Sequence, residues 1–333
     1  MNSNSNPIIN LSTQSNSTIL EASSVGRIAY SRLKEGAEGS VQEVFDNAIN
    51  ILYPEGLVSI VPEAIQRGPL NVTLLLPIGL SKLSFLGVRA GDKVKVQGFT
   101  LDLGDHHLVS FGSAEIYSPK QKFTLPILAS NEIEANIKVM RKTALLFGNM
   151  AGLGGLLSLA PPRVPGATSE SLNLFASYAF NRIVKLEEAF RKEEKNALRD
   201  AVTDLIGLGP GLTPSSDDML AGLVLLCVLY AKNRGCSLHA SQLIARLTVE
   251  ESRGRTTMLS EEYLGQVASG RGNEPIMKLC TALLTEGRES VERETRRVLA
   301  IGETSGTDMV LGIVLGTSLC TGRKLNLIQK EYE

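Results

Sequence analysis

"SNEIEANIKVMRKTALLF" occupies residues 130–147, and the spacing of its apolar residues decides how the chain divides. Ile133, Ile137, Met140, Ala144 and Phe147 recur every three or four residues, which places them on one face of an α-helix. Ser130 or Asn131 has the side chain to cap the first turn. Before this stretch the apolar period is two. "KVKVQGFTLDLGDHHLVSF" (93–111) alternates, breaks at Gly98 and turns again at Gly104-Asp105. "INILYPEGLVSIV" (49–61) sets two short strands around Pro-Glu-Gly, a hairpin signal, and "GPLNVTLLL" (68–76) reads as a buried strand. After residue 147 a proline-rich break, "APPRVPGATSES" (160–171), leads into sequence with helical spacing almost to its end.

The reading is therefore α+β: a β-rich barrel or sandwich over 26–128, followed by an α-helical domain over 129–330. Residues 1–25, rich in Asn and Ser, are assigned to a disordered tail, and they lack the basic and apolar regions of a secretory signal.

Composition narrows the class. Lys and Arg number 34 against 35 Asp and Glu, no long basic run exists and Trp is absent, which argues against a nucleic-acid partner. No apolar run reaches the ~20 residues that span a bilayer, so no membrane segment is expected. Cys227, Cys236, Cys280 and Cys320 lack CxxC spacing, which fits reduced thiols and a cytoplasmic protein. His106 and His107 are adjacent where a hairpin should turn. Neighbours on a strand point to opposite faces, so they are read as turn residues rather than metal ligands.

The chemistry concentrates in "GLGPGLTPSSDDMLAGL" (207–223), which has a second, shorter copy. "SSDDMLAGLVLL" from Ser215 and "SGTDMVLGIVLG" from Ser305 align without gaps, pairing Ser215 with Ser305, Asp218 with Asp308 and Gly222 with Gly312. The plain reading is two helix starts, each Ser capping its helix and each Asp reaching back, with glycines where the two helices cross. A functional reading adds to it. A helix start carries partial positive charge and unpaired N–H groups, which attract phosphate or carboxylate. Gly207, Gly209 and Gly211 would let backbone N–H groups converge on such an anion. The loop is neither a Walker motif nor a dinucleotide fingerprint.

With Asp218 employed as a cap, Asp217 is the spare carboxylate; both are candidate catalytic residues. Candidate substrate-binding positions are Gly207, Gly209, Gly211, Thr213, Ser215 and Ser216 in the first copy, and Ser305, Gly306 and Asp308 in the second. "ESRGRTTMLSEEYL" (251–264) adds Arg255 and Thr256, suited to a planar anion. Paired carboxylates repel an anion unless a divalent cation intervenes, which leaves magnesium open as a cofactor and Mg-dependent phosphate transfer as an alternative.

At "LIGLGPGLTPSSDDMLAGL" (205–223) the sequence resembles the AllH-like family, which includes a subunit of oxamate carbamoyltransferase. That family's loop runs G-L-G-P-G-L-T-P-S-G-D-D, so this chain departs at Ser216, where an added side chain should tighten the loop. "IGETSGTDMVLGIVLG" (301–316), "GPLN" (68–71) and "NILYPEG" (50–56) resemble further family features. The resemblance implies conversion of oxalurate and phosphate to oxamate and carbamoyl phosphate, in anaerobic allantoin breakdown. It also implies two partners, an FdrA-type acyl-CoA-synthetase-like subunit and an AllG-like subunit. A non-catalytic structural subunit of that complex is the other outcome it allows.

Overall fold

The alternating N-terminal sequence closes on itself. In the computed structural model, which describes residues 18–65, 67–104, 107–160, 164–234 and 238–322, it forms β1 (Thr18–Gly26), α1 (Arg27–Arg32), β2 (Glu38–Val44), β3 (Ile49–Tyr53) and β4 (Gly56–Pro62). β5 (Asn71–Leu75), β6 (Lys93–Gln97), β7 (Thr100–Asp102), β8 (His107–Ser110) and β9 (Glu115–Tyr117) follow. The strand order β1-β5-β4-β3-β2-β6-β7-β8 returns to β1, giving an eight-stranded barrel. β9 lies along β1 beyond the end of β8. Register shifts in β1 between Ala22 and Ser24, and in β2 between Val41 and Glu43, supply the bends that closure needs. Inward residues such as Leu20, Ile51, Ile60, Val72, Val94, Val96 and Val109 fill the interior. The barrel, not the sandwich, is the form adopted.

Residues 18–25, assigned to the tail on composition, belong to β1. Only Leu20, Ala22 and Val25 carry its buried apolar pattern, which the surrounding Ser, Thr and Glu obscure. Residues 1–17 lie outside the described residues. The hairpin turns at Pro54-Glu55 and Gly98-Phe99 fall where the sequence put them. Gly104 has φ 76° and its carbonyl accepts the His107 N–H at 2.9 Å; Asp105 and His106 are outside the described residues.

The helical part comprises α2 (Ser130–Phe147), α3 (Leu174–Lys192), α4 (Lys195–Thr203), α5 (Ser215–Arg234), α6 (Leu238–Ser252), α7 (Met258–Ala268), α8 (Glu274–Thr285), α9 (Arg288–Leu299) and α10 (Ser305–Cys320). α5 is buried from Ser215 to Ala231 and α10 from Gly306 to Leu319, so both are apolar all round and form the central pair. α6 and α7 cover α5, while α2 and α9 cover α10. No described helix is long and apolar enough to cross a membrane. Cys227 and Cys280 are buried thiols in no disulfide among the described residues; Cys236 lies outside the described residues.

Two details of α2 differ from expectation. Its N-cap is Ala129, whose N–H is taken by the Glu132 carboxylate at 3.0 Å, because the acidic residue one turn in supplies the acceptor. Phe147 is 53 % exposed and lies under the Arg296 guanidinium, 3.8 Å from the ring centroid. The two parts are joined by several bonds: Arg32 of α1 pairs with Glu262 of α7 at 3.0 Å and donates to the Leu57 carbonyl at 2.5 Å, the Glu274 N–H donates to the Arg67 carbonyl at 2.8 Å, and the Tyr117 hydroxyl donates to the Gly272 carbonyl at 3.1 Å.

Candidate functional site

α5 and α10 start at Ser215 and Ser305, the positions set by the duplicated spacing. Gly222 rests on the Met309 carbonyl, and Gly312 rests on the Met219 carbonyl. The reciprocity of these contacts gives the pair a local two-fold relation and brings both starts to one end. There Thr213 Oγ1 lies 3.2 Å from Ser305 Oγ.

The two serines do not cap. Both lie inside the first turn, and Thr304, the N-cap of α10, makes no side-chain cap bond. Each aspartate instead faces the serine of the other helix: Asp218 faces Ser305, and Asp308 faces Ser215. Close packing at the glycine crossing brings these side chains nearer to the partner helix than to their own backbone. Ser215 Oγ and Asp308 Oδ2 are buried beside one another, yet neither completes a well-formed hydrogen bond among the described residues.

The glycine-rich loop is braced from behind. Asp217 Oδ1 accepts the Gly207 N–H at 2.8 Å, and its Oδ2 accepts the Thr256 hydroxyl. Both oxygens of the carboxylate assigned as spare are thus engaged. Ser216 Oγ accepts the Leu208 N–H at 3.0 Å and packs on the Leu205 carbonyl, tightening the turn that glycine would leave looser. Thr257 Oγ1 donates to the Leu212 carbonyl at 2.6 Å. Gly207, Gly209 and Gly211 all have positive φ, at 76°, 114° and 102°. Gly209 also lies against Ser215 N, where a side chain would sit 2.8 Å from that atom. The loop runs through the turn 211–214 into α5, with Gly211 and Leu212 exposed.

Burial sets the electrostatics. It pushes Asp218 up to about 8 against the lowering by the Ser305 and Thr213 hydroxyls, with the Asp308 and Asp217 charges adding to the rise. Burial likewise lifts Asp308 to about 6, opposed by the Leu153 N–H and the Ser215 and Thr304 hydroxyls. Asp217 is raised by burial, opposed by the Gly207 N–H and the Thr256 and Ser260 hydroxyls. Burial thus favours the protonated form of Asp218. No group of three or more His, Cys, Asp or Glu among the described residues is placed to hold a metal ion.

Residues 205–317 match the family described as oxamate carbamoyltransferase subunit AllH, and residues 21–116 match the AllH family N-terminal domain. The chain belongs to the AllH family. No solved structure matches it. The first AllH match takes in both helix starts and the second takes in most of the barrel. The description as a subunit implies a multi-protein complex.

Not every position singled out in this AllH chain reaches the mouth. Arg255 is half exposed and pairs with Glu251 at 2.9 Å, while its carbonyl packs on Gly207. Thr256 serves Asp217. Gly306 packs on the Val298 carbonyl and its N–H goes to the Ile301 carbonyl at 3.0 Å, so its role is close packing. Conversely, the segment 149–153, to which the sequence assigns no site role, closes over the helix starts. Leu153 N–H donates to Asp308 Oδ1 at 2.7 Å, Asn149 N–H to Thr307 Oγ1 at 3.0 Å, and Gly152 covers Asp308 and Ser215. Asn173 holds it by donating to the carbonyls of Met150, Ala151 and Gly152 at 2.9, 3.1 and 2.7 Å. The signal available was the glycine density of "FGNMAGLGG" (147–155). A cavity of about 670 Å³ bordered by Arg67, Tyr117, Glu274 and Arg297 lies away from the mouth, and Arg67, Glu274 and Arg297 at its edge are already in ion pairs.

Proposed function

We propose that the converging starts of α5 and α10 bind the small anionic substrates of an oxamate carbamoyltransferase, in a cytoplasmic complex with FdrA-type and AllG-like subunits. The reaction is attack of a phosphate oxygen on the ureido carbonyl of oxalurate. The carbonyl–nitrogen bond breaks, the departing nitrogen takes a proton, and oxamate and carbamoyl phosphate result. Such a transfer needs a held phosphate and a polarised carbonyl rather than an enzyme nucleophile.

One observation carries the reading. A loop with three positive-φ glycines leads into the start of α5 beside the start of α10, where Thr213 Oγ1 lies 3.2 Å from Ser305 Oγ and 2.8 Å from the buried Asp218 carboxyl. In this arrangement Asp218 is the group nearest the chemistry, with Thr213 and Ser305 as its outward contacts. Asp217 holds the loop. The engagement of Asp217 by Gly207 and Thr256, and of Asp218 by Thr213, weighs against the two acting together as a magnesium pair.

The test is oxalurate phosphorolysis, read as carbamoyl phosphate formed, with this chain alone, with the partners alone and with all together. Turnover that needs this chain and falls ~10²-fold in Asp218→Asn supports the site. The near-complete burial of Asp218 and Asp308 favours a second reading, a structural subunit, and full turnover in the reconstituted Asp218→Asn complex would establish it.

A further inference from the structure

Thr213 Oγ1 donates to Asp218 Oδ2 at 2.8 Å and lies 3.2 Å from Ser305 Oγ. A hydroxyl carries one hydrogen, so Thr213 cannot donate to both at once. Thr213 and Ser305 are partly exposed, whereas Asp218 is 1 % exposed and reaches the mouth only through them. Resting on the anion-binding reading above, we propose that Asp218, Thr213 and Ser305 form a hydroxyl relay whose direction is set by one buried proton. The mouth donates hydrogen bonds to a bound anion while that proton is held, and presents lone pairs once it is lost.

The mechanism follows from donor bookkeeping. Protonated Asp218 donates to Thr213, which frees the Thr213 hydrogen for Ser305 or for the anion. Ionised Asp218 accepts the Thr213 hydrogen instead, so the outward side of the chain becomes an acceptor and faces an anion with like polarity. The proton passes to solvent through the two hydroxyls, and no bond to carbon changes.

Two further features bear on it. The titratable groups facing Asp218 are Asp217 on its own helix, Asp308 on α10 and Tyr263 on α7. None is a cation that would hold the carboxylate charged. In the duplicate half Asp308 Oδ1 receives the main-chain N–H of Leu153, which donates in either state. At the same helix starts Ser215 Oγ and Asp308 Oδ2 are buried side by side, with Gly152 against both.

The experiment is calorimetric titration of the full chain with sulfate from pH 6 to 9.5, because sulfate keeps its charge where phosphate changes its own. The relay predicts constant affinity at low pH and a fall approaching tenfold per pH unit above about 8. Asp218→Asn should bind with no such slope, Thr213→Val should bind weakly and without slope, and Thr213→Ser should restore it. A flat wild-type profile, or an unchanged slope in Asp218→Asn, overturns the relay while leaving the anion site standing. Failure of sulfate to bind at any pH overturns both. Should Asp218→Asn not fold, the contrast between Thr213→Val and Thr213→Ser decides: equal slopes reject the relay.

Discussion

Gly312 lies against the main-chain carbonyl of Met219, and no side-chain carbon fits between them. The same holds for Gly222 and Met309 one repeat away. Alanine at 312 must push α10 off α5 along its buried length, at a cost of ~1–3 kcal/mol for overpacking. Because the seam also sets the separation of Thr213 and Ser305, sulfate affinity should fall with stability. Gly265, whose Cβ position opens on free space in α7, is the control. Gly265→Ala should be neutral or stabilising by up to ~1 kcal/mol, as alanine suits a helix better. Urea unfolding of both variants checks the pair, and equal midpoints would remove the close crossing as the cause.

Stability should decline as pH rises. Asp218 and Asp308 keep protons in the folded chain up to about 8 and about 6, whereas an unfolded aspartate loses its proton near 3.8. The folded state thus binds more protons between about pH 4 and 8, so stability is fully present below that window and drains away across it. Asp218→Asn should flatten the upper part of this decline and raise the melting temperature at pH 8.5 by a few degrees. Parallel melting curves for wild type and variant over pH 5–9 would rule out a buried, raised Asp218.

Asp217→Asn should behave as a loosened brace. The amide keeps one acceptor for Gly207 or Thr256 but loses the charge-assisted second bond, costing ~1–2 kcal/mol. Turnover in the reconstituted complex should drop less than tenfold, well short of the loss for Asp218→Asn. The reverse order of the two variants would return the chemistry to Asp217.

Glu262→Ala should weaken the attachment of barrel to helices. It leaves Arg32, whose side chain is only 10 % exposed, with the Leu57 carbonyl as its remaining partner, at a cost of ~1.5–3 kcal/mol. Two resolved unfolding transitions in place of one are the expected signature in denaturant. A single transition at the wild-type midpoint would show that the ion pair contributes nothing.

The sequence announced the elements whose pattern is local. The Pro54-Glu55 hairpin, the turn at Gly98 and the starts at Ser215 and Ser305 all follow from residues within a few positions of each other. Partner-dependent features stayed hidden. β1 looked like tail because its pattern makes sense only against β5 and β8, and Phe147 keeps helical spacing yet faces Arg296 rather than the core. Asp218, expected to cap its own helix, accepts from Thr213 and faces Ser305 of the other helix, because spacing along one helix says nothing about a serine on another. Leu153 reaches Asp308 through a main-chain N–H, and no side-chain pattern can signal that.

The strand that closes the barrel also fixes a timetable for biosynthesis. Thr18 pairs with His107 and Ser24 with Glu115, so β1 leaves the ribosome long before one of its two edges has anything to bond. An open strand edge is a template for foreign pairing, and the newborn chain carries that hazard until β8 and β9 emerge. α5 repeats the situation at larger scale: its surface against α10 stays uncovered until residues beyond Ser305 arrive. A nascent chain stalled between residues 235 and 304 would therefore hold a finished barrel beside a greasy helix with no mate, which is the form a chaperone should recognise.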